Sequence, residues 1–158
     1  MHMDKYENGF LWLSGIMLGA FAISVLISVA GLNIHLPGES GQIDPAAVDA
    51  DPDFGNPGLR QIRPGVYEAY LTLGDWQYSP AKIEIPVGSQ VTFYLTSKDV
   101  IHGFKVFDTN INVMVIPGQI SQVQHTFNQP GTYQFYCHEY CGALHHTMTG
   151  QVVVTGAK

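Results

Sequence analysis

The sequence predicts a mainly β protein, a sandwich or barrel of short strands, behind one N-terminal transmembrane helix. Three observations predict it. Residues 10–31 run without a charge, FLWLSGIMLGAFAISVLISVAG, which is long enough for one helix to cross a hydrocarbon core. Beyond residue 58, short runs alternate in polarity. In Gln90–Thr96 the residues Val91, Phe93 and Leu95 alternate with Thr92, Tyr94 and Thr96, the period of a strand. Turn signals then divide these runs, at Pro86-Val-Gly88, Pro117-Gly118 and Pro130-Gly131. Composition agrees, because 17 glycines, nine prolines and only 13% charged residues in 158 suit a turn-rich β domain better than a helical bundle.

Residues 1–9 form a short polar N-terminus. Residues 10–31 are expected to be an uncleaved anchor. A buried soluble helix rarely lacks any charge over such a length. Ser28-Val29-Ala30 would suit a signal peptidase, but the apolar run exceeds a usual signal-peptide core. Trp12 fits the aromatic belt of a membrane interface. Residues 32–58 hold many prolines and glycines, and Glu39, Asp44, Asp49, Asp51 and Asp53 with no base among them. They read as an extended acidic connector, with a helical turn at Pro45–Val48 capped by Asp44. Residues 59–158 are the β domain, with strands expected at 66–73, 82–85, 90–96, 104–107, 112–116, 121–127, 132–136 and 151–155.

The net charge of −6 argues against a nucleic-acid partner. The β domain itself holds six acids against six bases, so long-range charge alone does not capture its partner.

The chemistry concentrates in Cys137–Met148, CHEYCGALHHTM, which contains both cysteines of the chain. Thiolate, thioether and imidazole are soft or borderline donors, the set that suits copper. Cys137-x3-Cys141 alone reads equally as a disulfide of a domain outside the cytoplasm. His145 and Met148 follow at steps of four and three, the Cys–His–Met order of a single-copper loop whose other histidine comes from an earlier strand. The second thiol is one too many for that site, but two thiolates can bridge two copper ions, each with one histidine. Of the remaining histidines, His2 and His35 flank the span, and His125 falls in the polar phase of a strand. His138 and His146 point away if Cys137 and His145 point inward. His102 follows apolar Val100 and Ile101 and precedes Gly103, which permits close backbone approach.

Cys137-x-Glu139-x-Cys141-Gly142-x-x-His145-x-x-Met148, with Asp99-Val-Ile-His102 upstream, resembles the CuA signature of the cytochrome c oxidase subunit II family. The single span, Ile43-Asp-Pro45, Ile83-Glu-Ile-Pro86, Asn110-Ile-Asn112 and Pro117-Gly118 resemble the small form found in B-type heme-copper oxidases. The resemblance implies a cupredoxin-like Greek-key barrel. It implies a binuclear copper centre held by His102, Cys137, the Glu139 backbone carbonyl, Cys141, His145 and Met148. No catalytic residue is then expected in this chain, because oxygen is reduced at heme in a partner, subunit I. The electron donor is cytochrome c, and aromatic residues of the loop at 74–78, Trp76 first and Tyr78 second, receive its electrons. The implied location is a bacterial or archaeal plasma membrane, with the N-terminus cytoplasmic and the copper domain on the outer face. A stand-alone membrane-anchored copper carrier and a copper-delivery protein are the alternatives.

Overall fold

The computed structural model describes residues 4–31, 38 and 40–156; His2 and His35 lie outside them. Lys5–Gly31 form one α-helix, α1, of 27 residues. It starts five residues before the apolar run because Asp4 caps it, its carboxylate accepting from the Glu7 amide at 3.2 Å. None of its residues is buried, and its mean hydropathy reaches 2.3, so it is long and apolar enough to cross a membrane. The helix and the β domain are separate compact units, 1–35 and 36–158.

Among the described residues the β domain has ten strands: β1 Gly58–Arg63, β2 Val66–Gly74, β3 Gln77–Ser79, β4 Lys82–Pro86, β5 Ser89–Ser97, β6 His102–Val106, β7 Asn112–Val115, β8 Ser121–Phe127, β9 Gly131–Tyr136 and β10 Thr149–Thr155. They form two five-stranded sheets. One runs β1-β2-β5-β8, with β3 paired to β2; the other runs β4-β10-β9-β6-β7. The pairings of β2 with β5 and β4 with β10 are parallel, and the others are antiparallel. This is a cupredoxin-like arrangement. Val91, Phe93 and Leu95 point into the core with no exposure, as their alternation predicts. Phe93, Phe104 and Phe135 bring rings from both sheets together, Phe104 lying 5.4 Å from Phe93 and 5.0 Å from Phe135 between centroids.

Two strands escape the sequence reading. β1 is an edge strand with a half-exposed face, and β3 has only three residues, so neither shows a usable period. The larger difference concerns the connector, which packs on the domain instead of lying extended. Gln42 bridges Gln119, and Pro45–Ala50 form a 3₁₀ turn capped by Asp44, which accepts from the Ala46 amide at 2.9 Å. Val48 and Phe54 are buried. Phe54 meets Tyr70 edge-on, Tyr70 stacks on Tyr94, and Arg60 lies over the Tyr70 ring. Thr72 and Thr96 are buried too, although alternation alone assigns their face to solvent. Asp49, Asp51 and Asp53 of the acidic run each find a partner. Asp49 pairs with Lys98 and Asp53 with Arg60, while Asp51 accepts from the Asp53 and Phe54 amides at 2.9 Å.

Candidate metal centre

His102 opens β6 and is fully buried. Cys137 directly follows β9, and the loop from it returns at Met148 to start β10. The Cys137 amide donates to the Met148 carbonyl at 3.1 Å, which closes the loop at its base. Within it His145–Thr147 make one 3₁₀ turn. Pairing of β6 with β9 brings His102 to this loop across 35 residues of chain.

The loop and strand converge on two sulfurs. Cys137 and Cys141 are free thiols with Sγ atoms 3.7 Å apart. His102 Nδ1 lies 3.9 Å from Cys137 Sγ, and His145 Nδ1 lies 3.5 Å from Cys141 Sγ. The Glu139 carbonyl oxygen is 3.1 Å from Cys137 Sγ, and Met148 Sδ is 3.9 Å from Cys141 Sγ. Donor atoms of His102, Cys137 and Cys141 all fall within 4.8 Å of one another. His102 is buried and His145 half-buried, so the cluster has an inner and a surface imidazole. These donors fit copper: soft sulfur at the centre, one imidazole beside each thiol, and weak carbonyl and thioether donors beyond.

Asp99 orients the inner imidazole, a role that the Asp-x-x-His spacing hints at but cannot assign. His102 Nε2 is 2.8 Å from Asp99 Oδ1. The carboxylate only accepts, so Nε2 carries the proton and Nδ1 turns its lone pair toward the sulfurs. Burial alone would raise the Asp99 pKa. Hydrogen bonds from His102 and from the Asp75 and Val100 amides outweigh it and hold the carboxyl below its ordinary range. Removing such an orienting group typically costs 10- to 100-fold in metal affinity. Asp99→Ala is therefore expected to weaken copper binding by about 10- to 100-fold, read in a titration against a competing chelator.

Asp75 and Trp76 form the two-residue turn of the β2–β3 hairpin, both with positive φ, 49° and 58°. A tryptophan rarely adopts this conformation, and such strain gathers at functional sites. The indole Nε1 donates to the Cys141 carbonyl at 2.9 Å. It lies against Gly142, whose φ is 118° and where a Cβ would sit 3.0 Å from the indole nitrogen. Trp76 thus covers the ligand loop. Tyr78 does not share its position. It sits on β3 with 3% exposure, packed edge-on against Phe135, its hydroxyl donating to the Gly103 carbonyl. Along β3 Gln77 and Ser79 are exposed and Tyr78 between them faces the core, so it is not a surface aromatic. His125 is also half-buried, bonded to Asn110 and edge-on to Phe127, rather than solvated. His146 is exposed, and His138 Nδ1 faces Glu139 Oε1 at 3.3 Å.

Burial first, then the neighbouring Cys137, pushes the Cys141 thiol up to about 12. Below that pH the metal-free thiol keeps its proton, and copper must displace it. Copper affinity is therefore expected to rise with pH between about 6 and 8, with proton release on loading. A chelator titration at several pH values checks the sign.

Residues 71–156 match the family described as cytochrome C oxidase subunit II, periplasmic domain. The chain is 38% identical over 153 residues to a cytochrome c oxidase subunit 2 of Thermus thermophilus, covering 94% of this chain and 91% of that one. A second Thermus thermophilus subunit 2 is 41% identical over 119 residues, covering 74% of this chain and 88% of that one. Among solved structures, a chain of a heme-copper terminal oxidase dimer superposes with a TM-score of 0.75 at 34% identity, over 96% of this chain and 100% of that one. Fold, ligand cluster and relatives agree, and the chain is a member of the cytochrome c oxidase subunit II family.

Proposed function

We propose that this subunit of a heme-copper oxidase holds a binuclear copper centre on His102, Cys137, the Glu139 carbonyl, Cys141, His145 and Met148. The observation that carries this reading is the pair of unjoined thiols 3.7 Å apart, each with its own imidazole. One cysteine suffices for a single-copper electron carrier, whereas two thiolates can be shared between two ions. When bound, the centre accepts and gives up single electrons. The chain supplies its rigidity: His102 is fixed by Asp99, the loop is closed by Cys137 and Met148, and Trp76 lies over Cys141. Ligands held this way change position little with oxidation state.

Trp76 is the residue we assign to receiving electrons from cytochrome c, since its indole bonds directly to a ligand residue. His145, at the surface of the cluster, faces electron exit toward heme in subunit I. In this reading residues 1–9 precede the anchor, 10–31 cross the membrane, and the connector of 32–58 leads to the copper domain of 59–158. The N-terminus lies in the cytoplasm and the copper domain on the outer face of the plasma membrane.

The test is copper stoichiometry with electron paramagnetic resonance on the purified full chain. Two coppers and hyperfine splitting by two nuclei are expected. One copper per chain, or splitting by a single nucleus, overturns the binuclear reading. Although the connector adds five acids, residues 59–158, which hold the copper ligands and Trp76, balance six acids against six bases, so turnover with cytochrome c is expected to change little between low and moderate salt. A steep fall in kcat/KM with salt counts against that docking mode.

A further inference from the structure

Gly103 is held from three directions beside the metal cluster. Its amide donates to Cys137 Sγ at 3.2 Å. Its carbonyl accepts from the Tyr78 hydroxyl at 2.6 Å. His138 closes its third side, where a Cβ would lie 2.7 Å from both the His138 amide nitrogen and its ring. Gly103 also follows His102 directly, so its backbone orientation bears on both an imidazole and a sulfur of the site.

Tyr78 is well placed to fix that orientation. Its ring is locked edge-on against Phe135 at 4.9 Å and Phe104 at 6.1 Å. Burial, and after it the charge that Cys137 and Cys141 would carry, raises the phenol pKa far above its ordinary value. The hydroxyl therefore remains a donor at any physiological pH. It gives the buried Gly103 carbonyl a hydrogen-bond donor from the core side.

We propose that Tyr78 is a positioning residue for the copper centre, holding Gly103 so that its amide points at the Cys137 sulfur and thereby raising the redox potential. The proposal rests on the binuclear reading above. An N–H donated to a thiolate sulfur draws electron density from it, which favours the reduced form, and hydrogen bonding around the sulfur is an established lever on such potentials. Reduction adds one electron and needs no proton on the sulfur. Without the hydroxyl, the Gly103–Phe104 peptide loses one of its restraints, the φ and ψ of Gly103 can shift, and the N–H of the adjoining His102–Gly103 peptide moves off the sulfur.

Tyr78→Phe in the full chain removes one oxygen and keeps the ring. In the metal-free protein, hydrogen exchange at the Gly103 amide is expected to quicken by about tenfold, with Val91 in the opposite sheet unchanged. In the copper-loaded protein, the midpoint potential is expected to fall while copper content stays at the wild-type level. Wild-type exchange at Gly103 together with an unaltered potential overturns the proposal, even if thermal stability drops, because Tyr78 would then be a core residue only. A potential that rises also overturns it. Failure of the binuclear reading is seen separately, in the copper count and spectrum of the wild type.

Discussion

Cys137→Ser is expected to abolish the two-copper centre: copper falls below two per chain and the signal shared between two nuclei disappears. Cys137 Sγ is the most connected donor of the cluster, near Cys141 Sγ, His102 Nδ1, the Glu139 carbonyl and the Gly103 amide. A serine hydroxyl is a hard donor that stays protonated at neutral pH, so it cannot replace a shared thiolate. The substitution nearly conserves volume, and loss of a satisfied polar contact costs about 1–3 kcal/mol, so the metal-free domain is expected to fold. Circular dichroism of the metal-free variant, beside its copper count, separates loss of the ligand from loss of the fold. A variant that keeps two coppers and a shared signal would remove Cys137 from the bridge.

Phe104→Ala is expected to destabilise the domain by about 3–5 kcal/mol, the usual cost of emptying a buried phenylalanine site. Phe104 is fully buried and touches Phe93 in one sheet, Phe135 in the other, and Tyr78 beside the metal cluster. The cavity would open between the sheets and next to Gly103. The measurement is the denaturant midpoint at unchanged slope. Phe107→Ala is the control, because Phe107 is 48% exposed and stacks only on Tyr136. Its expected cost is below about 1.5 kcal/mol, the range of one aromatic pair. Equal losses in the two variants would mean that the packing between sheets is not what stabilises the domain.

These two substitutions also mark how unevenly structure could be read from sequence. The metal loop is legible because its donors lie within twelve residues and their steps are set by one closed turn. The inward set of β5 is legible because alternation is a local property of an extended strand. Asp99 could be read as part of a motif, but its bond to the His102 ring depends on where the chain turns before β6. The packing of the connector was hidden, because Phe54 meets Tyr70 on β2 and Gln42 bridges Gln119, contacts that no local pattern links. The acidic run reads as part of an extended segment, yet Asp49 pairs with Lys98, 49 residues further on, which only the fold brings near.

By itself, the sequence determined a single apolar helix long enough for a membrane, a β domain, and a copper-suited loop in need of one more histidine. Only the tertiary structure decided that β6 and β9 pair to bring His102 to Cys137, and that Trp76 covers the ligand loop while Tyr78 enters the core. The reason is physical. Period and ligand spacing act over a few residues, whereas burial and donor distance are set by strand pairing and sheet packing between segments far apart in the chain.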